Sequence, residues 1–128
     1  MTGQSEDIKL VTDNFEAFFL EPKMFYLRLF TDTEQQVSDV EANITFQYEH
    51  GVDETFTRLV HAEKYATISK AAREYVEKNT PTVKAEAFVI PSLGQKILFN
   101  LYIKLRHNPH PIRGFENLDA AIKWLHTF

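Results

Sequence analysis

Apolar residues recur along the chain in short alternating runs, separated by stretches at helical spacing. Phe15–Leu20 (FEAFFL) and Met24–Phe30 (MFYLRLF) flank Glu21-Pro22-Lys23. Two such runs around a three-residue connection predict a β-hairpin. In its second strand Phe25, Leu27 and Leu29 take one face, and Tyr26, Arg28 and Phe30 the other, because side chains alternate along a strand. The period then changes. Thr31 and Glu34 stand at capping-box spacing, Val37, Val40, Ile44 and Tyr48 recur at steps of three and four, and Gly51 follows. These signals predict a helix from about Thr33 to His50 that ends on a left-handed glycine.

Phe56–Ala62 (FTRLVHA) predicts a short, partly buried strand. Ser69 is placed to cap a helix starting at Lys70, and Pro81 closes that region. In Val83–Ile90 (VKAEAFVI) one face is apolar throughout and the other turns apolar at Phe88 and Ile90, as in a central strand. Ser92 and Gln95 form a second capping-box pair ahead of a very apolar stretch, Ile97–Leu105. Ile112–Phe115 suits a brief strand, and Asn117 caps a final helix with Leu118, Ala121, Ile122 and Leu125 facing inward. The predicted order is ββαβαβαβα, an α/β fold with a mixed sheet of about five strands and helices packed against it. Residues 1–12 are expected to be flexible and 13–128 to form one domain.

Composition narrows the class of protein. A chain of 128 residues can bury roughly two-thirds of its unfolded surface without staples. It has no cysteine, so disulfide scaffolds, Cys-based zinc sites and thiol nucleophiles are excluded. A net charge of −4 and an isoelectric point near 5.7 argue against a nucleic-acid partner. No apolar run approaches the roughly 20 residues of a membrane span. The polar, acidic start, Met1–Leu10, contains no apolar signal segment and predicts a cytoplasmic location. Eleven phenylalanines are the unusual feature, more than one small sheet needs to build its core.

The second half has a familiar series. Thr67-Ile68-Ser69-Lys70-Ala71-Ala72-Arg73-Glu74-Tyr75 is followed by Lys84–Ile90, Ser92-Leu93-Gly94, the apolar stretch, Pro109 and Pro111, and Phe115–Leu125 (FENLDAAIKWL). From Phe56 to Leu125 this order resembles the small bacterial STAS/SEC14-like, or SpoIIAA-like, proteins of unknown function. The resemblance implies a STAS-like fold and no established enzyme activity or cofactor. It also implies a candidate phosphoacceptor, Ser69, at the start of a helix. The local text, Ala66-Thr67-Ile68-Ser69-Lys70, lacks an Asp-Ser-Ser-Gly switch motif.

The residues themselves leave each candidate site with two readings. Ser69 is a phosphoacceptor or a plain N-cap. Ser92, Gly94 and Lys96 are an anion site or a capping box. His107 and His110 stand three apart, but Pro109 breaks a helix between them and no third ligand is evident, so no metal is expected. His61 and Ser69 are a superficial base–nucleophile pair, and no catalytic motif accompanies them. In Ile97–Leu105, Ile97, Leu98, Leu101, Tyr102 and Leu105 make a core-facing stripe and Phe99 and Ile103 widen the apolar surface beyond it, which marks Leu98, Phe99, Tyr102 and Ile103 as a candidate dimer or apolar-ligand surface. That surface is a second buried side, a homodimer seam, the wall of a lipid or hydrophobic-ligand site, or a membrane-surface face flanked by lysines. The expected function is a non-enzymatic, cytoplasmic STAS-like interaction or regulatory module acting as a homodimer. The alternative is a SEC14-like binder of a lipid or small hydrophobic molecule.

Overall fold

The structure, a computed structural model, describes residues 8–92, 95 and 110–128. Among the described residues six strands, numbered in chain order, form the main sheet in the order β1-β2-β3-β5-β7-β8. β1 (Lys9–Val11), β2 (Phe15–Glu21) and β3 (Met24–Leu29) are antiparallel neighbours. β3, β5 (Thr57–Ala62), β7 (Ala85–Val89) and β8 (Ile112–Phe115) run parallel. A two-stranded parallel ladder, β4 (Glu34–Gln35) with β6 (Thr67–Ile68), stands apart from that sheet. The described helices are α1 (Val37–Glu49), α2 (Lys70–Asn79) and α3 (Leu118–Leu125). The mixed α/β sheet agrees with the pattern; its six strands exceed the expected five.

Alternation along the strands gives the sheet two apolar faces, so helices cover both. On one face Phe15, Ala17, Phe25, Leu27 and Val60 pack with Phe46 of α1 and with Val52, Phe56 and Val83. Phe19 adds its ring to this cluster beside Phe25, Phe46 and Phe56, at centroid distances of 5.6, 6.1 and 5.8 Å. On the other face Met24, Tyr26, Leu59, Ala85, Ala87 and Val89 meet Ala121 and Leu125 of α3. The small side chains of β7 let α3 sit close against its middle. Much of the phenylalanine surplus is therefore core.

Several local expectations give way to longer-range partners. No local pattern marks β1, whose Leu10 pairs with Ala17 and packs, with Ile8, against the first core. Three residues are too few for a visible period. The helix begins at Val37 rather than Thr33, because Glu34 and Gln35 are drawn into the ladder with Thr67 and Ile68. The Thr31–Glu34 box does not form: the Thr31 backbone N–H and hydroxyl donate to Glu63 Oε1 instead, at 3.1 and 3.3 Å. Gln36 takes over as N-cap, with its N–H donating to Asp39 Oδ2 at 2.8 Å. β5, expected to be partly buried, is buried from Thr57 to Val60, since strands flank it and helices cover both faces.

Other signals read locally agree with the structure. Ser69 Oγ accepts the Ala72 N–H at 3.1 Å, and Asn117 Oδ1 accepts that of Ala120 at 2.8 Å. Gly51 follows the C-cap of α1 at φ +75°, with open space where a Cβ would stand. Only the backbone conformation therefore opposes a side chain there. Gly51→Ala should destabilise the protein by about 1 kcal/mol, read as a lower urea midpoint with an unchanged slope.

Candidate functional site

The strand registers set three rungs across the face covered by α1 and α2. Phe25, Arg58 and Glu86 form the first; Leu27, Val60 and Phe88 the second; Leu29 and Ala62 the third. From Arg58 to Ala62 the floor extends about 13 Å, at roughly 3.3 Å per strand residue. Above it lies a cavity of about 540 Å³, within the usual range for small-molecule sites. Leu27, Leu29, Val60, Ala62, Phe88 and Ile90 line it from the sheet. Val40 comes from α1, Val76 from α2, and Ala66 and Ile68 from around β6. Leu29, Ala62, Ile68, Val76 and Phe88 stay partly exposed although helices lie over this face. The open space accounts for that exposure. It adjoins the carboxyl ends of the parallel strands, where ligand crevices of open α/β sheets form.

One end of the floor is polar and densely hydrogen-bonded. Arg58 is only 2% exposed. Its Nε and Nη2 donate to Gln47 Oε1 at 3.0 and 2.8 Å, and Nη2 also donates to the Pro81 carbonyl at 2.6 Å. Nη1 stands 3.4 Å from Glu86 Oε2, and the other oxygen of Glu86 lies 3.1 Å from His110 Nε2. A guanidinium has donors only, so Arg58 dictates the orientation of Gln47. The Gln47 carbonyl faces Arg58, and its Nε2 donates to Asn43 Oδ1 at 3.2 Å. That bond in turn fixes the Asn43 amide. Its Nδ2 has no acceptor among the described residues, although Asn43 is only 6% exposed and lines the cavity. Gln35, 2% exposed and also in the lining, is the complementary case. Its Nε2 donates to the Asn14 carbonyl and Thr33 Oγ1, and its Oε1 has no donor among the described residues.

Residue pattern had pointed elsewhere on α1. Val37 and Tyr48, assigned to its buried stripe, are exposed, while Asn43 and Gln47 are buried. The signal that marks the site is a polar stripe, Asp39-Asn43-Gln47, at successive four-residue steps beside Val40 and Ile44. Residues so spaced share a helix face, and here that face looks into the cavity.

The sites predicted from sequence are not brought together. Ser69 Oγ is engaged as the cap of α2. His61 instead shares a 2.9 Å hydrogen bond with the Tyr26 hydroxyl. It alternates with Arg58 and Val60, and so lies on the α3 side of the sheet beside Leu59. The base–nucleophile pair therefore does not form. Ser92 Oγ accepts the Gln95 N–H at 3.2 Å and lies 2.8 Å from Gln95 Oε1. Gly94 and Lys96 of the candidate anion site lie outside the described residues, as do Leu98, Phe99, Tyr102, Ile103 and His107. Among the described residues no group of three or more His, Asp or Glu side chains is placed to hold a metal ion. Nor is any described helix long and apolar enough to cross a membrane.

Part of the α3 side carries a charge network next to the His61–Tyr26 pair. Arg28 bonds Glu16 at 2.6 Å and Glu63 at 2.9 Å, and Lys9 reaches Glu16 at 3.1 Å. Burial pushes both carboxyls up, but the bonds from Arg28, with Lys9 on Glu16 and Thr31 on Glu63, outweigh it and hold them below the ordinary value of 4.5. Burial also lowers His61 and raises Tyr26, so the dyad is neutral near pH 7.

A family model described as a domain of unknown function, DUF7793, matches residues 18–128. The chain belongs to this family. No curated protein and no solved structure matches it. The cavity and the Arg58 network both lie within the DUF7793 domain.

Two outcomes test this geometry. Arg58→Met removes the guanidinium facing the buried Glu86 carboxylate and should cost about 3–5 kcal/mol; Arg58→Met with Glu86→Leu should recover part of that loss, measured by urea unfolding. Because Glu16 and Glu63 are depressed in the folded state, their stabilisation is present above pH 4.5 and is lost as pH falls through the folded values. The stability difference between wild type and Arg28→Met should therefore be largest near pH 7 and shrink at pH 3.

Proposed function

We propose that this domain binds a small, mainly apolar molecule in the cavity between the sheet and the α1–α2 layer. The carrying observation is the 540 Å³ cavity lined by Leu27, Leu29, Val60, Ala62, Phe88 and Ile90 with a polar end at Arg58. A stable monomer core closes such space, because interiors pack to crystal-like density and an empty apolar volume costs stability. This supports the SEC14-like side of the resemblance, while Ser69, the candidate switch residue of the STAS-like interaction module, is engaged as the cap of α2. The proposed role is ligand binding or carriage.

A neutral fluorescent probe, N-phenyl-1-naphthylamine, tests the proposal on the full chain. It should bind at one site per chain with blue-shifted emission. Ala62→Phe, which puts a ring into the open space, should abolish binding while keeping or raising the melting temperature. Native mass spectrometry of freshly purified protein should show a co-purified small molecule that Ala62→Phe lacks. Absence of probe binding, or binding that ignores Ala62→Phe, overturns the proposal.

A further inference from the structure

The segment from Ala66 to Asn79, β6 with α2, walls the cavity without belonging to either core. Ala66, Thr67, Ile68, Arg73 and Val76 all line it. Of the ten residues of α2 only Ala72 is buried, against five of the thirteen in α1. Neither core cluster contains a residue of α2. An element with so little buried apolar surface opens locally at a small fraction of the free energy of global unfolding.

The two ends of this segment are held differently. Behind α2 the Tyr48 hydroxyl donates to the Asn79 carbonyl at 2.8 Å, and the buried Arg58 donates to the Pro81 carbonyl at 2.6 Å. Both donors are rooted in packed elements, α1 and β5. Ahead of α2 the hold is the β4–β6 ladder, two residues per strand and separate from the main sheet. There the Thr67 N–H donates to the Thr33 carbonyl at 2.9 Å and the Ser69 N–H to the Gln35 carbonyl at 3.0 Å. Gln95 Nε2 adds a 3.3 Å bond to the Ala66 carbonyl. Glu34 and Thr67 are exposed, so water reaches the ladder.

Backbone strain sits at the same place. The chain approaches β4 through Asp32 at φ +60° and β6 through Tyr65 at φ +64°. The Asp32 N–H donates to the Lys64 carbonyl at 3.1 Å, which ties the two connections together. A left-handed backbone crowds a side chain, and for a bulky tyrosine it is an outlier that only surrounding structure enforces. Parting the ladder frees both residues to relax, so this strain works against the closed position.

Resting on the ligand-binding reading above, we infer that β6 and α2 form a lid over the cavity, hinged at Asn79–Pro81 and latched by the β4–β6 ladder. Parting the latch opens the cavity near the carboxyl ends of the parallel strands, and the ligand passes between β4 and β6. The ladder re-forms over the bound molecule. The latch therefore governs how fast a ligand exchanges, and not how tightly it is held.

The chain has no cysteine, so one engineered crosslink tests the latch. Glu34 and Thr67 are register partners, and neighbouring strands stand about 4.8 Å apart, within reach of a disulfide. In Glu34→Cys/Thr67→Cys, oxidation should slow both association and dissociation of N-phenyl-1-naphthylamine by about tenfold or more and leave its dissociation constant unchanged. Reduction should restore the wild-type rates. Probe binding whose rates ignore oxidation overturns the lid and still upholds the cavity. Hydrogen exchange of the wild-type full chain reads the latch without any ligand. The Thr67 and Ser69 amides should exchange about a hundredfold faster than those of Leu59 and Val60, and with little dependence on urea, as local opening does. Equal protection overturns the lid even if the double variant fails to fold or to crosslink. Absence of probe binding refutes the ligand-binding reading itself, and the lid falls with it.

Discussion

The burial of one guanidinium organises this domain. Arg58 sits in β5, an interior strand of the parallel part, with 2% of its surface exposed, where an unpaired cation would cost several kcal/mol. Its donors are met by α1 through Gln47, by the turn after α2 through the Pro81 carbonyl, and by β7 through Glu86. Glu86 passes the constraint on to His110, shortly before β8. Four separate stretches of chain must therefore reach their native positions together before Arg58 can leave water. Such a network is worth little as net stability, but it is unforgiving about geometry.

The same constraint shapes the cavity. Because Gln47 must turn its carbonyl to Arg58, the polar stripe of α1 faces the sheet and cannot be exchanged for the apolar stripe beside it. α1 is consequently held over the sheet near its C-terminal end, by the hydrogen bonds of Gln47 to Arg58 and by Phe46 against Phe19 and Phe25. Away from that anchor the third rung, Leu29 and Ala62, retains partial exposure. A helix anchored by directional bonds cannot settle onto the sheet to close the gap, as a purely apolar helix would.

The opposite face shows the contrast. There α3 packs on Ala85, Ala87 and Val89 with side chains small enough for close approach. The strands beyond its reach carry Lys9, Glu16, Arg28 and Glu63 in a chain of ion pairs. These cover the flank of the sheet with long side chains whose stems are apolar and whose charges remain near water. His61, bonded to Tyr26 on this face, is a half-buried neutral partner within the sheet rather than a base beside Ser69.

Local physics was legible from residues alone. The hairpin around Pro22-Lys23, the Ser69 and Asn117 caps, the left-handed Gly51, the central β7 and the inward stripe of α3 each depend on neighbours a few positions away. The mixed α/β class follows from the same periods. What the pattern could not show depends on partners far along the chain. Thr31 bonds Glu63 instead of opening a helix, Glu34 and Gln35 join Thr67 and Ile68, and β1 is too short to show a period. The candidate site belongs to this second group. Asp39, Asn43 and Gln47 look like an ordinary solvated helix face until the sheet places Arg58 beneath them. Periodicity says which residues share a face; only tertiary packing decides which face is turned inward, because a buried charge outranks the hydrophobic preference of a single stripe.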